Sequence, residues 1–554
     1  MSDDFTAADS MVQALVEQGV DTVFGLPGVQ TYALFDALHR QQDKIKTIGA
    51  RHEQGVAYMA YGYARSTGRL GVYACVPGPG VLNTTAALCT AQGAGAPVLC
   101  LTGEVPSGFM GLGRRHLHEL SDQLGILRRL AKYVDHVSEP DDAAGAVSRA
   151  ISQATTAPTG AAAVSVCWDH FGAPIKTRKV EDPVAQTSPH PKLTAVEDAA
   201  RLIRDAQQII IFVGSGAYGA EKEVLELAAL LKAPVVANRG GRGIVAEDHE
   251  LSLSIAGAYK LWPKTDLIIG IGTHLEVPFM RWSNPREVRR RWEGRKLLRI
   301  DIDAGEMDKL DTDAALIGDS KDCLQAILKV LSEQNFASTL NIGDITEARE
   351  ISAVEIQSVQ PQMAYLEVIR KCLPRDGYLV EELCQVGYTS YFGYPVYHPR
   401  TYISAGFQGT LGYGFPTALG VKAAHPDNAV VSISGDGGFM FAVAELATAV
   451  QYKLNVVAIV FNNSAYGNVY RDQKTVFDGR TIGSALENPD FVELAESFGA
   501  RAFRVSSPDE LAPVLQNALQ LDAPVVIEVV VERGSEARPW KFVVAPEIEL
   551  ETGE

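Results

Sequence analysis

The chain is poor in three features, and each shortage excludes something. Basic charge is not in surplus: 50 lysines and arginines stand against 67 acidic residues, for a formal net charge of −17. The footprint of a nucleic-acid or anionic-membrane partner is therefore missing. No apolar run reaches membrane-spanning length. Cysteines are few and unpatterned. Cys75, Cys89, Cys100, Cys167, Cys323, Cys372 and Cys384 form an odd set without zinc-ligand spacing, which points to reduced thiols and a cytoplasmic setting. The opening MSDDFTAADSM is acidic and polar, unlike a secretory signal.

What is present is alternation. At 554 residues the chain is too long for one core, and about three domains are expected. In the first, AADSMVQALVEQGV has a helical apolar stripe, while DTVFGLPG, KIKTIGA, LGVYACV, APVLCLTG and AAAVSVCWD read as strands. QIIIFVG, APVVAN, DLIIGIG and KLLRIDID repeat the pattern in the middle, and RTYISAG, NAVVSISG, NVVAIVFNN and PVVIEVVVE in the last third. The expected fold class is α/β: three domains over 1–175, 190–335 and 360–554, each a mainly parallel sheet flanked by helices. The polar, proline-bearing stretch 176–194 reads as a linker. Blocks one and three invite comparison, but their sequences alone do not establish a shared plan.

Chemistry concentrates in SISGDGGFMFAVAELATAVQYKLNVVAIVFNNSAYGN, residues 432–468. Ligands of open parallel sheets bind beyond the carboxyl ends of strands, and Asp436 and Asn463 both fall at such ends. Residues 438–461 are enough for one crossover helix and the next strand, so neighbouring strands would bring both side chains to one ion. A carboxylate, an amide carbonyl and a backbone carbonyl are hard donors that suit magnesium carrying phosphate oxygens. Gly437 and Gly438 leave backbone N–H groups open to an anion at the helix start. The stretch reads as a magnesium–diphosphate site.

GDG followed by NN resembles the signature of thiamine-diphosphate-dependent enzymes. GVDTVFGLPGVQTYALFDAL, ARHEQGVAYMAYGYARSTGRLGV, GFQGTLGYGFPTALG and NPDFVELAESFGA are similar to the acetolactate synthase, pyruvate oxidase and benzoylformate decarboxylase branch. The resemblance implies pyrimidine-binding, middle and diphosphate-binding domains in that order. It implies a metal held by Asp436, Asn463 and the Ala465 carbonyl. Gln385, Gly437 and Gly438 would contact the diphosphate, with Gly435, Tyr466 and Gly467 beside them. Gly409 would accept from the pyrimidine amino group, and Leu411 would bend the cofactor. Glu53 would be the carboxyl that exchanges a proton with a pyrimidine nitrogen and so activates the thiazolium carbon. Sites of this family usually lie between two subunits, so a homodimer or homotetramer is expected.

The departures bear on the reaction. Where simple decarboxylases of the family carry polar relay groups, this chain has Val29 and Val76, which favours ligation over aldehyde release. RRHLHELSDQLG resembles the substrate-facing segment of acetolactate synthases, with Leu117 and His118 at the two facing positions. His118 is assigned a catalytic or substrate-orienting role; His116 and Gln30 are further pocket candidates. FVGSGAYG is a weak dinucleotide signal, and GIGTHLEVPFMRW stands where a flavin-side arginine–aspartate pair belongs, so no bound FAD is expected. NRGGRG could set Arg239 or Arg242 on an anion, and a glycine-rich turn explains it equally well. Trp540 either closes the pocket or packs. The expected activity is decarboxylation of a 2-oxo acid with transfer of its acyl unit to a second carbonyl compound. The alternatives are a decarboxylase or lyase releasing an aldehyde, a flavin-dependent oxidase, and a cofactor-binding paralogue without catalysis.

Overall fold

Short runs of β-branched and small apolar residues make every sheet in the molecule. The computed structural model describes residues 5–178, 189–278, 282 and 294–543. The heart of the expected linker, residues 279–281 of the GIGTHLEVPFMRW segment and the chain beyond 543 lie outside the described residues.

The first sheet comprises β1 (Thr22–Gly25), β2 (Lys46–Gly49), β3 (Gly71–Cys75), β4 (Val98–Glu104), β5 (Tyr133–Val137) and β6 (Ala161–Cys167). The middle sheet comprises β7 (Ile209–Val213), β8 (Val235–Ala237), β9 (Leu267–Ile271), β10 (Lys296–Asp301) and β11 (Ala314–Ile317). The third comprises β12 (Tyr378–Glu381), β13 (Tyr402–Ile403), β14 (Val430–Gly435), β15 (Val457–Asn462), β16 (Arg501–Val505) and β17 (Val525–Val530). All strand pairs within them are parallel, as helical crossovers require. Sheet orders are β2-β1-β3-β4-β6-β5, β11-β10-β9-β7-β8 and β13-β12-β14-β15-β17-β16. The first and third are thus the same order shifted along the chain, a kinship the sequence left open.

Four strands went unread in the sequence: β5, β11, β12 and β16. β12 is an inner, buried strand of only four residues, whereas β5, β11 and β16 are edge strands, each partly solvent-facing. Their residues, such as YVDHV and RAFRV, mix charge with apolar positions because one side has no strand to cover it.

The crossover after β14 is also not the single helix expected. It consists of a short helix Asp436–Met440, a tight turn Val443–Glu445 and a helix Leu446–Tyr452. Ala442 leaves helical geometry at the break (φ −128°, ψ 17°). The carboxylate of Glu445 then reaches the first unit, where it accepts from the backbone N–H of Arg51 (3.1 Å) and His52 (3.0 Å).

The first and third units are joined by two crossing helices, Glu53–Thr67 and Gly414–Ala424. Glycines set how near they come. A Cβ at Gly62 would lie 2.1 Å from the Thr417 carbonyl oxygen, and one at Gly420 would lie 1.9 Å from that of Met59. Backbones meet where side chains normally would. Tyr61 adds a hydrogen bond to the Ser404 carbonyl at 3.0 Å.

All seven cysteines are free. Among the described residues no helix is long and apolar enough to cross a membrane.

Candidate active site

β14 and β15 are neighbours, in a register that sets Gly435 against Phe461. Asp436 and the two asparagines therefore emerge side by side at the carboxyl ends of the strands. The two asparagines behave differently. Asn462 is fully engaged: its amide donates to Glu528 (2.7 Å), and its oxygen accepts from Ser464 N–H (3.0 Å) and Asn488 (3.0 Å). Asn463 donates to Glu536 at 3.0 Å, which leaves its oxygen buried without a partner. Asp436 accepts from Ala465 N–H (3.2 Å) and Asn488 (2.7 Å). The Ala465 carbonyl is not used by the flanking hydrogen bonds, which run Tyr466 N–H to Ser484 and Leu486 N–H to Ser464. Burial pushes the Asp436 carboxyl up, against the pull of Asn488 and nearby backbone N–H groups. A buried carboxylate, an orphaned amide oxygen and a spare carbonyl are a donor set that fits a hard divalent cation.

Gln385 opens the helix after β12, and its side-chain oxygen is also buried without a partner. Its amide nitrogen donates to Asn468. Gly435 lies on the Cys384 side of this group. Gly437 and Gly438 occupy the first turn of Asp436–Met440. Their smallness is enforced partly by the protein itself: a Cβ would stand 2.4 Å from the Tyr466 ring in one case and 2.1 Å from the Glu382 carboxylate in the other. Gly467 is likewise pressed on Asn463, whose side-chain nitrogen would lie 2.8 Å from a Cβ there. Gly409 is left-handed (φ +57°), and Leu411 is half-buried beside it. Glu381 and Glu382 lie under this floor. Burial pushes Glu382 up to about 7, although it accepts from Gly412 N–H (2.7 Å) and Gly414 N–H (3.1 Å). Burial likewise takes Glu381 to about 8, with Arg239 pulling the other way.

A second group forms at the carboxyl ends of the first sheet. Glu53 begins the helix Glu53–Thr67. It is not needed as a cap, because Glu445 and the His52 ring already serve that terminus. Its carboxylate instead accepts from Asn83 at 3.0 Å and faces Gly80. Val76 is packed on Gly28, where a Cβ would lie 2.3 Å from its methyl group, and on Gly80. Val29 opens the next turn. Gln30 is wholly buried and bonds to the Leu117 carbonyl (3.0 Å) and to His118 Nδ1 (3.0 Å). Leu117 is exposed and His118 half-buried. His116 turns elsewhere, between the rings of Phe109 (4.8 Å) and Trp168 (6.3 Å).

The structure thus brings Glu53, Val29, Gln30, Leu117 and His118 together, and Asp436, Asn463, Ala465, Gln385 and the glycines together. Among the described residues no hydrogen bond or ion pair joins the two groups. Arg239 and Arg242 already have protein partners: Arg239 bonds the Gly406 carbonyl at 2.5 Å and pairs with Glu276 at 3.3 Å, and Arg242 pairs with Glu247 at 2.7 Å. Trp540 packs edge-on against Tyr388 at 4.8 Å.

Several participants escaped the sequence reading. Asn488 and Glu536 hold Asp436 and Asn463. Gln123 accepts from Gly78 N–H (2.8 Å) and donates to Glu104 (2.9 Å), and so fastens the loop that carries Val76. It stands in RRHLHELSDQLG, but nothing in that segment marks this glutamine as buried. The FVGSGAYG glycines close on the loop after β9 (Gly216 N–H to Gly272 carbonyl, 3.0 Å). Gly214 and Gly216 line a cavity of about 390 Å³ at the carboxyl ends of the middle strands.

Family models match in the order of the three sheets: a thiamine pyrophosphate enzyme N-terminal TPP binding domain over residues 5–126, a central domain over 196–327, and a C-terminal TPP binding domain over 384–529. The chain is 31% identical to a probable acetolactate synthase large subunit of Methanocaldococcus jannaschii, across 95% of this chain and 92% of that protein. The chain belongs to the thiamine pyrophosphate enzymes. Within that family it is also 30% identical to the acetolactate synthase isozyme 3 large subunit of Escherichia coli, across 97% of this chain and 96% of that one. A probable 2-ketoarginine decarboxylase of Pseudomonas aeruginosa is 29% identical across 95% and 94%. The protein is an acetolactate synthase-like enzyme of carbon–carbon bond chemistry.

Proposed function

We propose that this enzyme decarboxylates a 2-oxo acid and ligates the acyl unit to a second carbonyl compound, with thiamine diphosphate and magnesium as cofactors. Asp436, Asn463 and the Ala465 carbonyl would hold the metal. Gln385, with the backbone of Gly437 and Gly438, would hold the diphosphate. When bound, the coenzyme supplies a nucleophilic carbon and an electron sink for decarboxylation. Glu53 would exchange a proton with the pyrimidine ring. Val29 and Val76 would keep water and proton donors from the stretch of pocket wall that they form, leaving time for a carbonyl acceptor. A homodimer or homotetramer, with the Glu53 group of one copy meeting the Asp436 group of another, is part of this reading. So are a cytoplasmic setting and the absence of a resident flavin, which the visible absorbance of the purified protein tests.

The observation that carries the proposal is the apolar contact of Val76 with Gly28 beside Glu53, at a place where a relay would need polar atoms. Product analysis with pyruvate, alone and with added aldehydes or ketones, tests it: hydroxyketones are expected as main products. Val29→Asp should divert products toward aldehyde, and an unchanged ratio overturns the role given to the apolar wall. A second reading, an aldehyde-releasing decarboxylase, is favoured by the likeness to the protein named as a probable 2-ketoarginine decarboxylase. Aldehyde as the main wild-type product selects it. Absence of turnover across a panel of 2-oxo acids would select a non-catalytic role.

A further inference from the structure

We infer that Gln30 is a positioning residue that holds the neutral His118 ring in a single tautomer, with the proton on Nδ1 and the lone pair on Nε2. The inference deepens the proposed carboligase reading, because it assigns the atom at which the pocket accepts and returns a proton.

One chain of hydrogen bonds fixes the tautomer. The Leu117 carbonyl can only accept. Gln30 lies 3.0 Å from it through its side-chain nitrogen. Turning the amide over would set two acceptor oxygens against each other, so the nitrogen must face Leu117. The Gln30 oxygen then faces His118 Nδ1 at 3.0 Å. An amide oxygen has no proton to give, so Nδ1 must carry one. The Nδ1–H ring and the imidazolium both satisfy this contact, whereas a neutral ring protonated on Nε2 does not.

The surroundings leave the pair little freedom. Gln30 has no exposed surface. Gly103 makes room for it: a Cβ there would lie 3.1 Å from both the Gln30 Cβ and its carbonyl oxygen. His118 has a left-handed backbone (φ 67°). Its carbonyl is packed on Gly78, at 2.5 Å from where a Cβ would be. Gly78 is tied in turn by its N–H to Gln123 at 2.8 Å. Among the described residues His118 Nε2 has no hydrogen-bond partner, so that atom is available to a ligand. At Nε2 a neutral ring of this form would take the proton of a substrate hydroxyl as a carbon–carbon bond at that carbon breaks, the bond's electron pair leaving with the other carbon and the oxygen becoming a carbonyl. The imidazolium would give a proton to the oxygen of an acceptor carbonyl as its carbon gains a new carbon–carbon bond, so both transfers use one atom and need no oxidant or reductant.

Histidine selectively labelled with ¹⁵N in the full-length protein reads the tautomer directly, and the His118→Gln spectrum assigns the signal. The wild type should show Nδ1–H. Gln30→Glu removes the donor to Leu117 but keeps an acceptor for Nδ1, and should retain Nδ1–H. Gln30→Met removes both bonds and should move the ring toward Nε2–H. His118→Ala should lower kcat for ligation about 10²-fold while the donor KM changes little. A wild-type ring protonated on Nε2 overturns the inference, and the wild-type spectrum alone decides this even if a variant fails to fold. Identical signatures for the Glu and Met variants also overturn it, since a mere tether would lose the Leu117 bond in both. Failure of the carboligase reading would show as missing ligation products from the wild type, with the tautomer signal unaffected.

Discussion

Strand for strand, β1 to β6 and β12 to β17 stand in the same spatial order, yet the loops at their carboxyl ends share little chemistry. After β14 and β15 the chain places Gly-Asp-Gly-Gly and Asn-Asn. After β3 it places Val76-Pro77-Gly78-Pro79-Gly80. Corresponding positions thus carry hard oxygen donors in one unit and an apolar wall in the other. After the first strand of each unit a buried glutamine appears. Gln385 leaves its oxygen without a partner, while Gln30 is satisfied by Leu117 and His118. The second crossover helices, Glu53–Thr67 and Gly414–Ala424, pack on each other through Gly62 and Gly420. A shared framework dictates where a ligand can sit; the side chains at the strand tips decide which part of the ligand it is.

The largest effect should come from dividing the two roles. Asp436→Ala is expected to abolish heat of binding when thiamine diphosphate and magnesium are returned to stripped protein. Glu53→Gln should still bind both but lose about 10²–10⁴-fold in turnover. Calorimetry beside product assays checks the pair, and equal losses of binding in both variants would break the contrast.

The next effect concerns the joint between the units. Gly420→Val forces a side chain into the Met59 carbonyl and should destabilise the protein by about 1–3 kcal/mol, read as a lower denaturation midpoint. Gly219→Ala, at a glycine with no atom within 4 Å of a Cβ but with φ +89°, is a milder comparison away from the joint. If Gly420→Val proves no worse, the close crossing is not what couples the units.

Glu445→Gln weakens the carboxylate that serves Arg51 and His52. Removing charge from a buried acceptor should cost about 1–3 kcal/mol. Thermal unfolding checks it, and the loss should be felt in the first unit although the mutation is in the third.

The smallest effect is expected in the middle sheet, outside the pair. His274 holds the Glu306 carboxyl down to about 2, helped by Lys309 and opposed by burial. A lowered carboxyl stabilises the fold above its ordinary value of 4.5, and that contribution is lost as pH falls from there toward about 2. Glu306→Gln should flatten the acid limb of a stability–pH curve over that window and, because the same carboxylate raises His274 above its ordinary 6.5, should also flatten the fall in stability as pH rises beyond that value.

Central strands such as NVVAIVFN and AAAVSVC were legible because burial on both faces demands unbroken apolar runs. The edge strands β5, β11 and β16 were not, because an uncovered edge tolerates polar residues. GDG and NN were legible because glycines and hard donors stand together at strand ends. Which asparagine keeps a free oxygen was not, because that depends on Glu528, Asn488 and Glu536 arriving from distant segments.

By itself, then, the amino-acid order determined three parallel α/β units, the strand tips that carry Asp436 and Asn463, and the kind of ion their oxygens suit. These follow from local periodicity and donor chemistry, which neighbouring residues encode. Only the tertiary structure decided that the first and third units share one strand order, that their helices cross backbone to backbone at Gly62 and Gly420, and that Gln30 meets His118. Those facts depend on register and on long-range closure of the chain, and a side chain's partner from a distant segment leaves no trace in its own neighbourhood.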